Sequence, residues 1–483
     1  MNPGIRQLTS IQYVMSVVCC FLFLTSAFAN NPVPTVVGPP VPQAVVPGSG
    51  EFTLTVYGAN FVSGAVVNWN RSQRSTTFVS ARELKAQILA SDVAAATAGY
   101  ITVTNPPPGG GVSSSSYGLV EVHTPTATIV ASRPNVYLRG GGPQFLLPTD
   151  FNNDGILDFA ASWGSEIKVL LGNGDGTFRF GSLATHSYYS GSAIAYGDFN
   201  NDGNEDLVFG AEPNGPPTQL KVSLGDGNGK FLRGSRFGHF RVYPLQIVIG
   251  DFNGDGNLDA IALESGIYVF LGSGDGMFKQ LLYDSNVAGY DAVVADFNGD
   301  GILDLAILRE TAIEILLGNG DGTFKVRTIP IPDDFGCDVG PPILVSDFNG
   351  DGKADLVYCQ KEYPKNEGKI WVLLGNGDGT FKKPTSLVVH PYSGAFSFAA
   401  GDFNSDGNTD LIANYLTSSN GKQSETDLFL GNGDGTFQPK KIINLIGQPY
   451  NAEDGIVPAD FNSDGLLDFI FQEPGEVSVF VQK

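Results

Sequence analysis

The chain has 483 residues, with 28 Lys and Arg against 50 Asp and Glu, and a formal net charge of −22; only 16% of residues are charged and 42% are hydrophobic. A chain this apolar can fill a core, so it is not a disordered acidic tail, and its acidity excludes nucleic-acid binding through a basic patch. Four His and four Cys argue against a zinc centre or a haem held by several histidines. The length calls for two or more domains, or one domain and a repeat array.

Residues 1–29 read as a secretory signal peptide. Arg6 is the basic start, VMSVVCCFLFL from Val14 to Leu24 is the apolar segment, and Ala27-Phe28-Ala29 is the cleavage site. The expected product begins near Asn30 and is soluble and secreted, whether extracellular, on a cell surface or in a periplasm. An uncleaved anchor is the alternative. Cys19 and Cys20 leave with the signal, and Cys337 and Cys359 remain, either as one disulfide or as two buried free thiols.

Residues 32–48, rich in Pro and Val, suggest a linker or an edge strand. Short alternating runs follow at Phe52–Tyr57, Ala65–Trp69, Leu84–Leu89, Tyr100–Thr104 and Tyr117–Val122, separated by turn clusters such as PPPGGG at 106–111. This spacing predicts an antiparallel β-sandwich. The strings YGANFVSGAVVNWN and ITVTNPPPGGGVSSS resemble the IPT/TIG family of immunoglobulin-like domains, over roughly residues 33–123. The resemblance implies a spacer or binding accessory, and we set the domain at 30–124.

The remainder, 125–483, repeats. The string D-F-N-x-D-G-x-x-D begins at Asp150, Asp198, Asp251, Asp296, Asp347, Asp402 and Asp460, at intervals of 48, 53, 45, 51, 55 and 58 residues. A second string, G-[NSD]-G-[DN]-G-x-F, follows the first six copies, as in LGNGDGTF at 317–324, and is missing after the seventh. Asp is invariant at positions 1, 5 and 9, Asn at position 3 and Gly at position 6. Oxygen donors at alternate positions around a glycine turn can converge on one hard cation, and Ca²⁺, which takes six to eight oxygens, is the expected guest. Mg²⁺ prefers a smaller and stricter shell. Position 7 varies from Ile156 to Lys353, so any donor there is the backbone carbonyl. An Asx-rich turn without metal is the alternative; it accounts for Asn, Asp and Gly but not for three carboxylates in every copy. Position 2 is always Phe, from Phe151 to Phe461, and reads as a core anchor under the loop. No Glu stands at position 12, so the loop is not an EF-hand.

Apolar stretches around the fourth copy, at 291–298, 303–308, 312–320 and 322–331, read as four short strands per repeat with no helical periodicity. Radially repeated four-stranded sheets make a β-propeller. The fold expected is therefore all-β, a seven-bladed β-propeller preceded by an Ig-like β-sandwich. TATIVAS at 126–132 is the expected fourth strand of the last blade, closing the ring.

The seven loops and the LLGNGDGTF strings resemble the FG-GAP/VCBS repeat family, which includes the head of integrin α subunits; the resemblance covers 126–483. It implies one Ca²⁺ per loop, up to seven. By position the implied ligands of the first three loops are Asp150, Asn152, Asp154, the Ile156 carbonyl and Asp158; Asp198, Asn200, Asp202, Asn204 and Asp206; and Asp251, Asn253, Asp255, Asn257 and Asp259. Those of the fourth and fifth are Asp296, Asn298, Asp300, Ile302 and Asp304, and Asp347, Asn349, Asp351, Lys353 and Asp355. The last two contribute Asp402, Asn404, Asp406, Asn408 and Asp410, and Asp460, Asn462, Asp464, Leu466 and Asp468. Position 3, often Asp in the family, is Asn in every copy here, which should weaken each site.

Because strands alternate in direction, the two repeated motifs should share one face of the disc. The segments that differ from copy to copy, such as 211–219, 360–369, 414–426, 185–192, 237–244, 390–397 and 447–454, should share the other. Tyr188, Tyr189, Phe240, Tyr243, Tyr290, Tyr392 and Tyr450 fall there, either as a ligand-contacting surface or as packing between blades. His186, His239 and His390 could meet at a site or be scattered over the surface. No G-x-S-x-G or H-E-x-x-H occurs. The expected function is a secreted, calcium-binding adhesion or recognition module for a carbohydrate or protein ligand, with no membrane span. A polysaccharide-degrading hydrolase or lyase and a purely architectural surface component are the alternatives.

Overall fold

The structure is a computed structural model. It describes residues 30–113, 118–126, 135–138, 145–163, 165–185, 193–211, 218–240, 244–264, 266–284, 289, 291–309, 311–331, 343–362, 367–389, 396–416, 424–443, 455–473 and 476–483. Among these residues every regular element is a strand.

The N-terminal unit consists of two sheets. One orders Thr35–Val36, Phe52–Ala59, Glu83–Ile88 and Ser75–Ser80; the other is built on Ala44–Val45, Leu119–Val122, Thr97–Asn105 and Val66–Trp69. Alternate residues of both, among them Leu54, Val56, Val67, Trp69, Leu84, Ile101 and Val103, share one buried cluster. This is the period-2 pattern of a sheet with one wet face. The proline-rich start is edge strand: Thr35 pairs antiparallel with Ala59, and Ala44 parallel with Glu121.

The rest forms repeated four-stranded antiparallel sheets, an arrangement that fits a β-propeller. The first orders Leu146–Thr149, Asp158–Trp163, Glu166–Gly172 and Phe178–Thr185, and five more follow in the same sequential order. The last combines Ile456–Ala459, Asp468–Glu473 and Glu476–Phe480 with Asn135–Tyr137, so its fourth strand comes from before the first sheet. Closure by an upstream strand is thus as the sequence suggests, but the segment differs. Asn135 pairs with Val479 and Tyr137 with Val477, whereas most of the expected segment, 127–132, lies outside the described residues. From the second sheet on, first strands of successive sheets lie side by side, and Leu146–Thr149 lies beside Ile456–Ala459.

The core sits between sheets rather than within them. Phe252 shares a cluster with Ile261, Val269, Leu303, Leu305 and Leu316 of the third and fourth sheets, and Phe461 shares one with Phe159, Leu170 and Phe178 of the first. Each position-2 Phe is at most 3% exposed, as the sequence suggests. The Phe that ends the second motif meets it from the next sheet: ring centroids are 5.7 Å apart for Phe151–Phe231, 5.4 Å for Phe199–Phe278, 6.0 Å for Phe252–Phe324 and 5.5 Å for Phe461–Phe178.

A hydrogen bond repeats beside each of these contacts. The last Gly of the second motif donates its N–H to the carbonyl of the preceding sheet's Phe: Gly229 to Phe151, Gly276 to Phe199, Gly322 to Phe252, Gly379 to Phe297 and Gly435 to Phe348, at 2.8–3.1 Å, and across the closure Gly176 to Phe461 at 3.3 Å. The seventh copy has no second motif, and Gln482 replaces it. Its side-chain Nε2 donates to Phe403 O at 3.1 Å, and its backbone N–H donates to Asp468 at 2.8 Å. Gln482 is fully buried. Gln482→Ala should therefore lower stability by about 1–3 kcal/mol in urea denaturation. Lys483→Ala, at an exposed position, should leave the midpoint unchanged.

Phe240 takes the second of the two roles the sequence allows, packing between sheets. It is 1% exposed, within strand Phe231–Phe240, and packs on Tyr268 at 4.8 Å. It is core between sheets, not part of a ligand surface. His239 is exposed in the same strand. Tyr188, Tyr189, Tyr243, Tyr290, Tyr392, Tyr450, His186 and His390 lie outside the described residues, as do residues 1–29 and most of the variable segments. Cys359 is 1% exposed and disulfide-bonded, and Cys337 lies outside the described residues. Among the described residues no helix is long and apolar enough to cross a membrane.

Candidate functional site: the seven acidic loops

The seven nine-residue loops adopt one conformation, set by backbone N–H groups that orient each acidic side chain. Position 1 accepts the Gly N–H of position 6 on Oδ2 at 2.7–2.8 Å. Its Oδ1 accepts the N–H of position 5 at 3.0–3.2 Å. The Oδ1 of Asn at position 3 shares that donor at 2.8–3.1 Å. Asp at position 5 accepts the N–H of position 7 at 2.9–3.1 Å. The backbone is left-handed at position 6, with φ from +74° at Gly352 to +88° at Gly407 and Gly465. A side chain there would be strained, hence the invariant glycine.

Position 9 has a role that the spacing did not reveal. Asp158, Asp206, Asp259, Asp304, Asp355, Asp410 and Asp468 are fully buried. In each, Oδ2 accepts the N–H of the position-2 Phe at 2.9–3.1 Å. Oδ1 accepts the N–H of the first Gly of the second motif, or of Gln482, at 2.7–2.9 Å. The two motifs therefore lie together on one face, joined by this carboxylate. Burial pushes these carboxyls up, Asp158 to about 7 and Asp259, Asp410 and Asp468 to about 8, against the pull of the N–H donors and with neighbouring loop aspartates adding to it.

The donors offered are carboxylate, amide and carbonyl oxygens, the chemistry of a hard cation. Basic side chains meet few of them. Arg71 pairs with Asp150, Arg82 approaches Asp296 at 4.0 Å, and Lys353 approaches Asp351 at 3.5 Å; the other four loops have no ion pair among the described residues. The oxygen set and the uncompensated charge fit a divalent ion. Among the described residues, no three His, Cys, Asp or Glu side chains are gathered into a metal cluster; much of this donor set is Asn and backbone.

The N-terminal unit covers this face, which nothing in the sequence signalled. Val33 N–H donates to Asp251 Oδ2 at 2.8 Å, and Asn60 Nδ2 to Asp251 O at 3.0 Å. Asn60 N–H reaches Gly301 O at 2.8 Å, Arg71 Nη1 reaches Asn153 O at 2.8 Å and Arg82 Nη2 reaches Gly352 O at 2.6 Å. Tyr100 Oη donates to Asp460 O at 2.7 Å, and Ser405 Oγ donates to Glu121 Oε2 at 2.5 Å. The approach is close enough that a Cβ on Gly301 would stand 2.4 Å from that of Ala81.

Buried carboxyls also lie away from the loops. Asp291, 6% exposed, accepts the Ala292 N–H at 2.9 Å, and burial pushes it up to about 7. A carboxyl raised in the folded state supports stability fully below its unfolded pKa of roughly 3.9, and that support is lost as pH rises through about 7. Asp291→Asn should remove up to about 4 kcal/mol of this fall. Denaturation midpoints of wild type and variant, compared between pH 4 and 8, check it; parallel curves would contradict it.

The chain belongs to the FG-GAP-like repeat family, whose model matches residues 150–209, 198–262, 251–307, 296–358, 347–413 and 415–471. No curated protein sequence matches it. Among solved structures it is similar to a lectin from Agrocybe aegerita described in specific recognition of non-reducing terminal N-acetylglucosamine (20% identity, 73% of this chain and 90% of that chain, TM-score 0.45). It is also similar to an auxiliary nutrient binding protein from Bacteroides ovatus (10% identity, 93% and 98%, TM-score 0.39) and to a putative phosphatase from Bacteroides thetaiotaomicron (12%, 93% and 97%, TM-score 0.36).

Proposed function

We propose that the chain is an exported calcium-binding recognition protein. Residues 30–124 form an immunoglobulin-like β-sandwich, and residues 125–483 form a seven-bladed propeller with one Ca²⁺ in each loop. The signal-like residues 1–29 support export, and the oxygen-only donor sets support calcium. One observation carries the placement of the binding surface: the sandwich is bonded to the loop face, through Val33, Asn60, Arg71, Arg82, Tyr100 and Glu121. The loops are then scaffold, and the face left for a carbohydrate or protein ligand is the opposite one, where the connections differ in sequence. A glycan and protein binding screen, run with Ca²⁺ and with EDTA, tests this. Saturable binding that is lost on mutating the variable connections is expected. Turnover on a polysaccharide panel, or binding that maps to the sandwich alone, would overturn it.

A further inference from the structure

One buried cation has no counter-ion. Lys221 is 7% exposed and lies in Thr218–Gly225, the third strand of the second sheet, four residues before the Gly225 that donates to Asp206. In the first, fourth and sixth sheets the equivalent residue, again four before that Gly, is Lys168, Glu314 or Asp427. Each of these meets an opposite charge: Glu166 at 3.7 Å, Arg309, and Lys440 at 2.8 Å. Among the described residues Lys221 makes no ion pair. Its Nζ donates to Thr185 Oγ1 of the first sheet at 3.2 Å and stands 5.4 Å from the centre of the Phe209 ring.

Further positive charge gathers beside it. Lys221 stands in register with Arg236, and Ser223 with Arg233, both in the outer strand Phe231–Phe240. Directly opposed residues share a sheet face. Arg233 and Arg236 are three apart and would point to opposite faces of a regular strand; the register shift between Lys221 and Ser223 inserts one residue and turns both to the same face. That face looks to the first sheet: Phe209, opposite Lys221, shares a cluster with Ile167 and Val169, and Ser223 Oγ donates to Ala184 O at 3.3 Å. Burial, and after it the charges of Arg236 and Arg233, hold the Lys221 ammonium below the usual lysine range. Neither arginine makes an ion pair among the described residues. Arg233 is exposed and Arg236 half-buried, so the seam opens to solvent at its outer edge. Three cations without a carboxylate repel one another, and the buried one is costly unless an anion completes the arrangement. The Phe209 ring attracts one of them, not three.

We propose that the seam between the first and second sheets is a binding site for a tetrahedral oxyanion of the sulfate or phosphate type, free or carried on a larger ligand, held by Lys221, Arg233 and Arg236 beside the Thr185 and Ser223 hydroxyls. Guanidinium groups grip such oxygens through paired N–H donors, and an ammonium adds a compact charge. The site goes beyond the recognition reading. It requires only that the two sheets pack as described, and it holds whether or not the loops carry Ca²⁺.

The test uses the full chain and inorganic sulfate, titrated by calorimetry at constant ionic strength set with NaCl. Wild type should bind one sulfate per chain. Lys221→Met, which keeps the stem and removes the charge, and Arg236→Gln should each weaken binding about tenfold or more, the loss of one hydrogen bond to a charged group. Lys279→Gln, at an exposed position of the third sheet, should match wild type. Glucose 6-sulfate, with glucose as the neutral control, separates the two sources. Binding of both sulfates means a seam open to a larger ligand, binding of inorganic sulfate alone means a resident ion, and either supports the site. Melting curves give an independent reading. Sulfate stabilises folded proteins generally, so the difference is what counts: wild type should gain more than Arg236→Gln. Without sulfate, Lys221→Met should melt at or above wild type, because a buried unpaired charge is gone. A wild type that binds no sulfate, or binds it no more tightly than both variants, would overturn the site. So would a Lys221→Met chain that melts below wild type without sulfate and gains as much from it. If Lys221→Met does not fold, Arg236→Gln, changed at a half-exposed position, decides alone.

Discussion

Chelation with EDTA should lower the melting temperature steeply. Calcium modules of extracellular type have dissociation constants of roughly 10⁻⁴–10⁻³ M. At about 1 mM Ca²⁺ each site then adds roughly 0.4–1.4 kcal/mol by mass action. Seven sites together contribute about 3–10 kcal/mol, comparable with the whole stability of a typical domain, about 5–15 kcal/mol. The expected fall in melting temperature is about 3–10 °C, reversed by added Ca²⁺ and much less by Mg²⁺. The charge count points the same way. Without residues 1–29 the chain loses Arg6 and stands at −23, of which −21 comes from three Asp in each of seven loops; seven Ca²⁺ would bring it to −9. Loop one, where Arg71 pairs with Asp150, and loop five, where Lys353 sits 3.5 Å from Asp351, should be the weakest sites. Identical melting curves with and without EDTA would contradict a structural role for the ion.

Phe252→Ala should cost about 3–5 kcal/mol, the range for an aromatic deleted from a packed core. Phe252 is 1% exposed and packs edge-to-face on Phe324 of the next sheet, and its carbonyl takes the Gly322 N–H at 3.0 Å. The cavity would open between two sheets, where both motifs meet, so neither sheet could collapse into it alone. Phe78→Ala, at a site 37% exposed, should cost under about 1 kcal/mol. Urea denaturation of the two variants separates a lock between sheets from a lid over a loop. A small loss for Phe252→Ala would mean that the ring is held by its strands and not by its motifs.

The loop was legible because its physics is local. Donors, turn glycine and anchoring Phe all lie within nine residues, and seven copies separate what is fixed from what varies. The shared face of the two motifs was legible too, from strand alternation alone. The double role of position 9 was not: spacing places an oxygen at Asp304, but the N–H groups of Phe297 and Gly318 that it accepts appear only once the hairpin is folded. The closing strand was misplaced because TATIVAS and NVY are both acceptable strand sequences, and the register against Val477–Val479 decides between them. The docking of the N-terminal unit left no trace at all. Val33 meets Asp251 across 218 positions and Tyr100 meets Asp460 across 360, and no periodicity links them. Gln482 likewise reads as an ordinary polar residue near the chain end until it is seen filling the place of an absent glycine turn.

Counting the ions is the most direct test. Protein dialysed against excess Ca²⁺, passed through a desalting column equilibrated at about 10 mM Ca²⁺, roughly tenfold or more above the expected dissociation constants, and analysed by elemental mass spectrometry against a buffer blank should carry close to seven Ca²⁺ per chain. Changing Asp296 and Asp300 together to Ala should remove one of them. A wild-type chain that carries none would contradict the account.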